Sequence, residues 1–153
     1  MIMNRKNTLI ILAGISGSGK STFAEMLERS SFARVCPDLI RRCLYGSESI
    51  QGNGKEVFDR AFESLSYYGA NDFDCIFDAI NTTKKARKKV IEQGRKHFDF
   101  ILCYYFAPDL TKSIGNQKKR ERQVPHDVLV RQVQQWQTPT LDEGFDYVCE
   151  IKY

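Results

Sequence analysis

Apolar runs alternate with amphipathic helical patterns along all 153 residues, which predicts an α/β fold on a mainly parallel sheet. Two observations narrow it. The run Leu9-Ile10-Ile11-Leu12-Ala13 leads directly into a glycine-rich stretch, Gly14 to Thr22, that opens a helical pattern. Asp38 and Asp78 stand just past the next two short apolar runs, on the rim where open parallel sheets bind ligands. The expected architecture is one domain over residues 1–153, a five-stranded sheet sandwiched by helices, with a basic lid.

Each element follows from its pattern. Strand one covers about residues 8–13, and the first helix runs from Lys20 to about Arg29 with Phe23, Met26 and Leu27 on its apolar face. Phe32 to Cys36 form a short second strand that stops at Pro37. Asp38 then begins a helix whose apolar face is Leu39, Ile40, Cys43 and Leu44, ending near Gly46. Residues 45–54 are glycine-rich and polar, which predicts a mobile loop. Val57, Phe58, Ala61, Phe62, Leu65 and Tyr68 recur at helical spacing over residues 55–69, an aromatic stripe that reads as core rather than as a base-stacking platform. Cys75-Ile76-Phe77 is a brief buried strand. A basic helix follows over 83–97, then a long strand from Phe98 to Ala107 closed by Pro108. A short helix, the basic segment 116–123, a helix from Pro125 to Gln137 and a last strand near Tyr147 to Ile151 complete the chain.

The composition, 42% hydrophobic and 27% charged, is that of a globular domain long enough to bury a core. No apolar run approaches the roughly 18 residues that a membrane span needs. A cleaved leader would remove strand one and the loop after it, so the expected location is cytoplasmic. The five cysteines are odd in number and scattered, without a C-x-x-C pair, which argues against a zinc site or disulfide framework. Cys75, Cys103 and Cys149 read as small core hydrophobes. The net charge of +4 is unevenly placed: Lys84, Lys85, Arg87, Lys88, Lys89, Arg95 and Lys96 face only Glu92, and a second group runs from Lys112 to Arg122. Such clusters suit a polyanion, and a solvated helix face is the plain alternative.

The stretch Gly14-Ile15-Ser16-Gly17-Ser18-Gly19-Lys20-Ser21-Thr22 is G-x-x-x-x-G-K-[ST], a phosphate-binding loop in its expected place between strand and helix. Backbone N–H groups of Gly17 to Ser21 would surround phosphate oxygens at the positive end of the helix. Lys20 would neutralise the β- and γ-phosphates of ATP and the Ser21 hydroxyl would ligate Mg²⁺. Ser16 and Ser18 lie within the same ATP-binding loop, and Thr22 follows as a polar helix residue beside it. Asp38 and Arg41 share one helix face at i, i+3. The carboxylate could be an ordinary N-cap, but beside a nucleotide it could take the proton of an attacking hydroxyl while Arg41 forks onto an acceptor phosphate. Asp78 ends an apolar strand as a metal-holding acid does. Asn81 reads either as a substrate contact or as the cap of the basic helix. A guanine-dependent switch is disfavoured, because Asn116-Gln117-Lys118-Lys119 lacks the aspartate of N-K-x-D.

These residues together resemble the kinase domain of the polynucleotide 5′-hydroxyl kinase family. Asp38-Leu39-Ile40-Arg41 matches its D-x-x-R, Asp78-Ala79-Ile80-Asn81 with Arg87 resembles its D-x-T-N…R, and Pro139-Thr140-Leu141-Asp142-Glu143-Gly144-Phe145 is similar to P-T-x-x-E-G-F. The resemblance implies a kinase fold of the P-loop NTPase class, Asp38 as general base, Arg41 as acceptor-phosphate contact, and Asn81 and Arg87 in the substrate site. It also implies a lid over residues 116–124 that brings an arginine to the ATP phosphates, with Arg120 and Arg122 as candidates and Lys119 as third. The chain departs from the family at Cys36-Pro37, where Asn-Arg is common, and at Ile80, where threonine is usual. The acceptor expected is therefore a nucleic-acid hydroxyl, most readily the 5′-hydroxyl of a polynucleotide, with DNA the partner favoured over RNA. The alternatives are the hydroxymethyl group of a modified pyrimidine in DNA, a small-molecule hydroxyl, and a nucleotide-gated binding module without transfer.

Overall fold

The computed structural model describes residues 6–48, 50, 52–120 and 123–152. The elements in order are β1 (Thr8–Ala13), α1 (Lys20–Glu28), β2 (Ala33–Val35), α2 (Pro37–Tyr45), α3 (Gly54–Ala70), β3 (Cys75–Asp78), α4 (Lys84–Arg95), β4 (Phe100–Tyr105), α5 (Leu110–Gln117), α6 (His126–Gln135), a 3-10 turn (Leu141–Glu143) and β5 (Tyr147–Glu150). The strands form one sheet in the order β2-β3-β1-β4-β5, and every pairing is parallel. The chain leaves β1 toward β2 and β3, then crosses to β4 and β5, so the sheet reverses direction beside β1. That reversal opens the crevice in which such sheets bind ligands.

β1 carries the core on both faces because its neighbours cover both. Leu9, Ile11 and Ala13 pack with Val35, Ala61, Leu65, Phe77, Val90 and Ile101 on one side. Ile10 and Leu12 pack with Ala24 and Ile76 under α1 on the other. Cys75 and Cys103 are fully buried, and burial pushes each thiol up to about 12. Cys149, in the edge strand β5, is only half-buried. Among the described residues no helix is long and apolar enough to cross a membrane.

Three boundaries differ from expectation for visible reasons. β4 starts at Phe100 rather than Phe98, because Asp99 and Asn7 bond reciprocally, each backbone N–H to the other's side chain at 3.1 Å. The basic helix is capped by Thr83, whose hydroxyl accepts from Ala86 N, and not by Asn81. The segment expected to begin the lid at 116 is the end of α5, so only residues from Lys118 onward leave the helix. The 3-10 turn has no periodic signal. Its Thr140 and Glu143 close a capping box instead. The loop over 45–54 falls between α2 and α3, with residues 49 and 51 outside the described set.

Candidate active site

The phosphate loop is held open by the residues beneath it. Gly17 and Gly19 have φ of 79° and 101°, the left-handed region that glycine enters without strain. A Cβ on Gly17 would also stand 2.8 Å from Ser113 O, because α5 packs directly against the loop. Asn116 Nδ2 donates to Gly17 O at 2.7 Å. From α6, Gln132 accepts from Ser16 N at 2.8 Å and donates to Ser16 Oγ at 3.1 Å. Neither Asn116 nor Gln132 was legible as a loop support in the sequence. Each is an ordinary polar residue on a short amphipathic helix.

The loop overlooks a cavity of about 290 Å³ lined by residues of the loop, by Cys36 and Asp38, by Asp78 to Ile80, and by Asn116 and Arg120. Lys20 is buried and its Nζ donates to Ile15 O at 3.0 Å. Burial lowers its pKa, with Arg120 adding to the shift and Asp78 and Asp38 opposing it. A buried ammonium with a single carbonyl partner is poised to bind an anion. Ser16, Gly17, Gly19, Ser21 and Thr22 line the cavity, whereas Gly14 and Ser18 do not. Gly14 N is spent on Ile80 O at 2.8 Å, and Ser18 turns its side chain to the opposite side of the loop.

Asp38 lies in the first turn of α2, not at its N-cap, which is Cys36. The cap reading of this carboxylate is therefore excluded. Its side chain is about half exposed and accepts from Arg41 Nη1 at 2.8 Å. The rest of the guanidinium is tucked under the helix, where Arg41 Nε is buried without a partner. Asp78, at the end of β3, is buried, and its Oδ2 takes both Arg34 Nη2 at 2.6 Å and Arg34 Nε at 3.0 Å. Arg34 lies in β2, and no local sequence signal pairs it with Asp78, 44 residues away. Among the described residues no donor reaches Asp78 Oδ1, so one oxygen stays available to the cavity.

One assigned residue is in the wrong place for a ligand, and a second is tied into the fold. Arg87 is completely buried and forms a bidentate pair with Glu143, Nε to Oε1 at 2.8 Å and Nη2 to Oε2 at 3.1 Å. Its third bond goes from Nη1 to Asn81 O at 2.8 Å. Asn81, with φ of 45°, is buried too, and its Nδ2 donates to Leu12 O at 2.7 Å. The substrate-site assignment of Arg87 is thus corrected to a structural chain running Glu143–Arg87–Asn81–Leu12, while Asn81 also lines a second cavity between α3 and α4. Of the lid candidates, Arg120 reaches the cavity, Lys119 does not line it, and Arg122 lies outside the described residues.

Comparison with known proteins agrees with this fold. Among curated protein sequences none matches the chain. The fold is similar to a chain of the Pnkp1/Rnl/Hen1 RNA repair complex, at 22% identity and a TM-score of 0.77 over 87% of this chain and 45% of that one. It is similar to a gluconokinase from Sinorhizobium meliloti 1021, at 17% identity and a TM-score of 0.66 over 97% and 83% of the two chains. A fungal RNA kinase aligns at 17% identity and a TM-score of 0.69, over 97% of this chain and 39% of its own. The chain spans less than half the length of the RNA repair chain and the RNA kinase. The sequence profile of the AAA domain matches residues 9–139. With that match over most of its length, the chain belongs to the AAA domain family and has the α/β fold of the P-loop kinases.

Proposed function

We infer that the chain transfers the γ-phosphate of ATP to a hydroxyl of nucleic acid, most readily a 5′-hydroxyl. One observation carries the reading. Lys20, Asp38, Asp78 and Arg120 meet in a single cavity above the phosphate loop, with donor-side cations opposite a half-exposed carboxylate. The loop N–H groups and the positive end of α1 hold the phosphates. Lys20 exchanges its bond to Ile15 O for a phosphate oxygen, and Arg120 faces the charge that spreads over the transferring group. The acceptor hydroxyl oxygen forms a bond to the γ-phosphorus while the bridging P–O bond breaks, and the electron pair leaves with ADP. Asp38 takes the hydroxyl proton. Arg41, already at 2.8 Å from Asp38, orients that carboxylate, and its guanidinium would have to turn out from under α2 to fork onto an acceptor phosphate.

The donor set fits a magnesium ion, which would neutralise charge on the transferring phosphates. The Ser21 hydroxyl and the open oxygen of Asp78 would hold it. Among the described residues there is no group of three or more His, Cys, Asp or Glu ligands, so phosphate oxygens and water would complete the shell, as suits Mg²⁺.

The nucleic-acid acceptor is supported by the exposed lysines of α4 and by the likeness to RNA repair and RNA kinase structures. A small polyol is the second reading, favoured by the gluconokinase likeness over nearly the whole of both chains. Purified protein with γ-labelled ATP decides between them. It is offered in parallel a 5′-hydroxyl oligonucleotide, as DNA and as RNA, DNA containing hydroxymethylpyrimidine, free nucleosides and gluconate. Label on an oligonucleotide is expected. Label on gluconate or nucleosides alone would overturn the nucleic-acid reading.

A further inference from the structure

A second cavity adjoins the first and is lined by no residue of the phosphate loop. It lies between α3 and α4, encloses about 570 Å³, and shares Ala79 and Ile80 with the phosphate cavity as a common wall. Phe58 and Phe62 line it from α3, and Ala86 and Val90 from α4. The two phenyl rings are tilted at 50° with centroids 6.3 Å apart, and Phe62 in turn stacks on core Phe77 at 6.2 Å. The aromatic stripe expected to be core is therefore divided. Phe62 is backed by the core, whereas Phe58 is 37% exposed at the groove. Isoleucine at position 80, where the resembled family has threonine, makes the shared wall apolar.

The surroundings of the groove are cationic. Lys89 lines it, and among the described residues Lys89 has no ion-pair partner. Lys85 stands one turn earlier on the same face of α4 and is likewise exposed. Lys55 lies on the α3 side, paired at 2.8 Å with Asp59. An apolar, aromatic slot with free lysines at its mouth, opening beside a phosphotransfer cavity, matches a flat ring attached to a phosphodiester. An acyl chain would also fit the slot, but it would leave the lysines and the shared wall without a purpose.

The geometry points to this groove as the seat of the base of the nucleotide whose hydroxyl is phosphorylated. The base stacks on Phe58 against Ile80, Lys85 and Lys89 hold the adjoining backbone phosphates, and the sugar spans Ala79–Ile80 toward Asp38. This rests on the nucleic-acid reading of the site. It adds that the acceptor is gripped by its base.

Two measurements separate this inference from the reading beneath it. A 5′-hydroxyl oligonucleotide with 2-aminopurine as its terminal base reports stacking by fluorescence, whether or not phosphate is transferred. Quenching on binding to the full chain is expected. In Phe58→Ala the quenching should disappear and binding should weaken roughly tenfold, as loss of one base–aromatic stack does. Phe58→Tyr keeps the ring and should restore both, which guards against a mere folding defect. Unchanged fluorescence with the wild-type protein, or equal quenching by Phe58→Ala, would overturn the groove assignment. The second measurement is transfer to the same oligonucleotide with an abasic terminal sugar, where kcat/KM should fall about tenfold. Equal transfer to the abasic and base-bearing ends would overturn the groove while leaving the phosphotransfer reading intact. Quenching without transfer to any hydroxyl would support the groove and remove the kinase reading.

Discussion

Two ion pairs in this molecule come from sequence motifs of equal clarity, and they differ in how far their carboxylates are buried. Asp38–Arg41 sits on the rim with its carboxylate half in water. Arg87–Glu143 is sealed, at 0% and 8% exposure, and bonded at nearly every polar atom. The exposed pair can open to admit a hydroxyl at little cost. Opening the buried pair would strand two charges away from water. The difference teaches how to read the motifs. The arginine of the D-x-x-N…R element and the glutamate of P-T-x-x-E-G-F belong together because they are each other's partners. They clamp the segment after α6 onto the loop that carries Asp78. In the D-x-x-R pair, by contrast, the carboxylate is exposed at the phosphate cavity.

The comparison can be broken from either side. The largest effect is expected at Lys20, between the two regions. Lys20→Ala should lower transfer by two to three orders of magnitude or more, read as single-turnover label transfer. It should cost little stability, since burial already penalises the Lys20 charge. The clamp should behave oppositely. Glu143→Ala leaves the buried Arg87 guanidinium uncompensated and should cost about 3–5 kcal/mol in urea unfolding. Replacing both partners with apolar residues, Arg87→Met with Glu143→Leu, should recover most of that loss. If Glu143→Ala unfolds like the wild type, the clamp is not structural.

The basic helix sharpens the contrast further. Arg87 and Arg95 are spent on the C-terminal segment, Arg95 through Asp146 at 2.9 Å and Gly144 O at 2.7 Å. Lys85 and Lys89 remain exposed on α4. Replacing both lysines with glutamine should reduce the salt slope of oligonucleotide binding by about one or two, and an unchanged slope would assign them to solvent. The smallest expected effect is chemical. Burial, with Asp78 adding to it, pushes the Cys36 thiol up to about 11, while Cys43 is exposed. Since thiolate is the reactive form, Cys43 should alkylate at pH 8 well before Cys36, as peptide mass mapping would show. ATP should slow whatever reaction Cys36 has, because Cys36 lines the phosphate cavity.

Much of the fold was legible because the signals are local. Apolar runs of strand length, a Gly-rich turn after β1 and proline stops at 37 and 108 locate the elements within a few residues. The donor half of the site was legible for the same reason, since the loop, Lys20 and Ser21 are contiguous. The supports were not. Gln132 reaches Ser16 across 116 residues, and Arg34 reaches Asp78 across 44, through contacts that only the assembled sheet creates. Arg87 misled because a buried guanidinium and a substrate-binding one look the same in sequence. The distinction rests on Glu143, 56 residues away. Phe58 and Phe62 share one helical stripe, yet only packing shows which ring is left at a cavity.

Asp38 as the proton acceptor, rather than as a structural residue, is the part of the proposed site most open to direct measurement. The direct test is Asp38→Asn, which keeps the size and loses the base. ATP affinity, measured by titration, and urea stability should stay near wild type, while single-turnover transfer to the accepting hydroxyl should fall about a hundredfold or more. Transfer at near wild-type rate would contradict the account, and Asp38 would then be no more than a partner for Arg41.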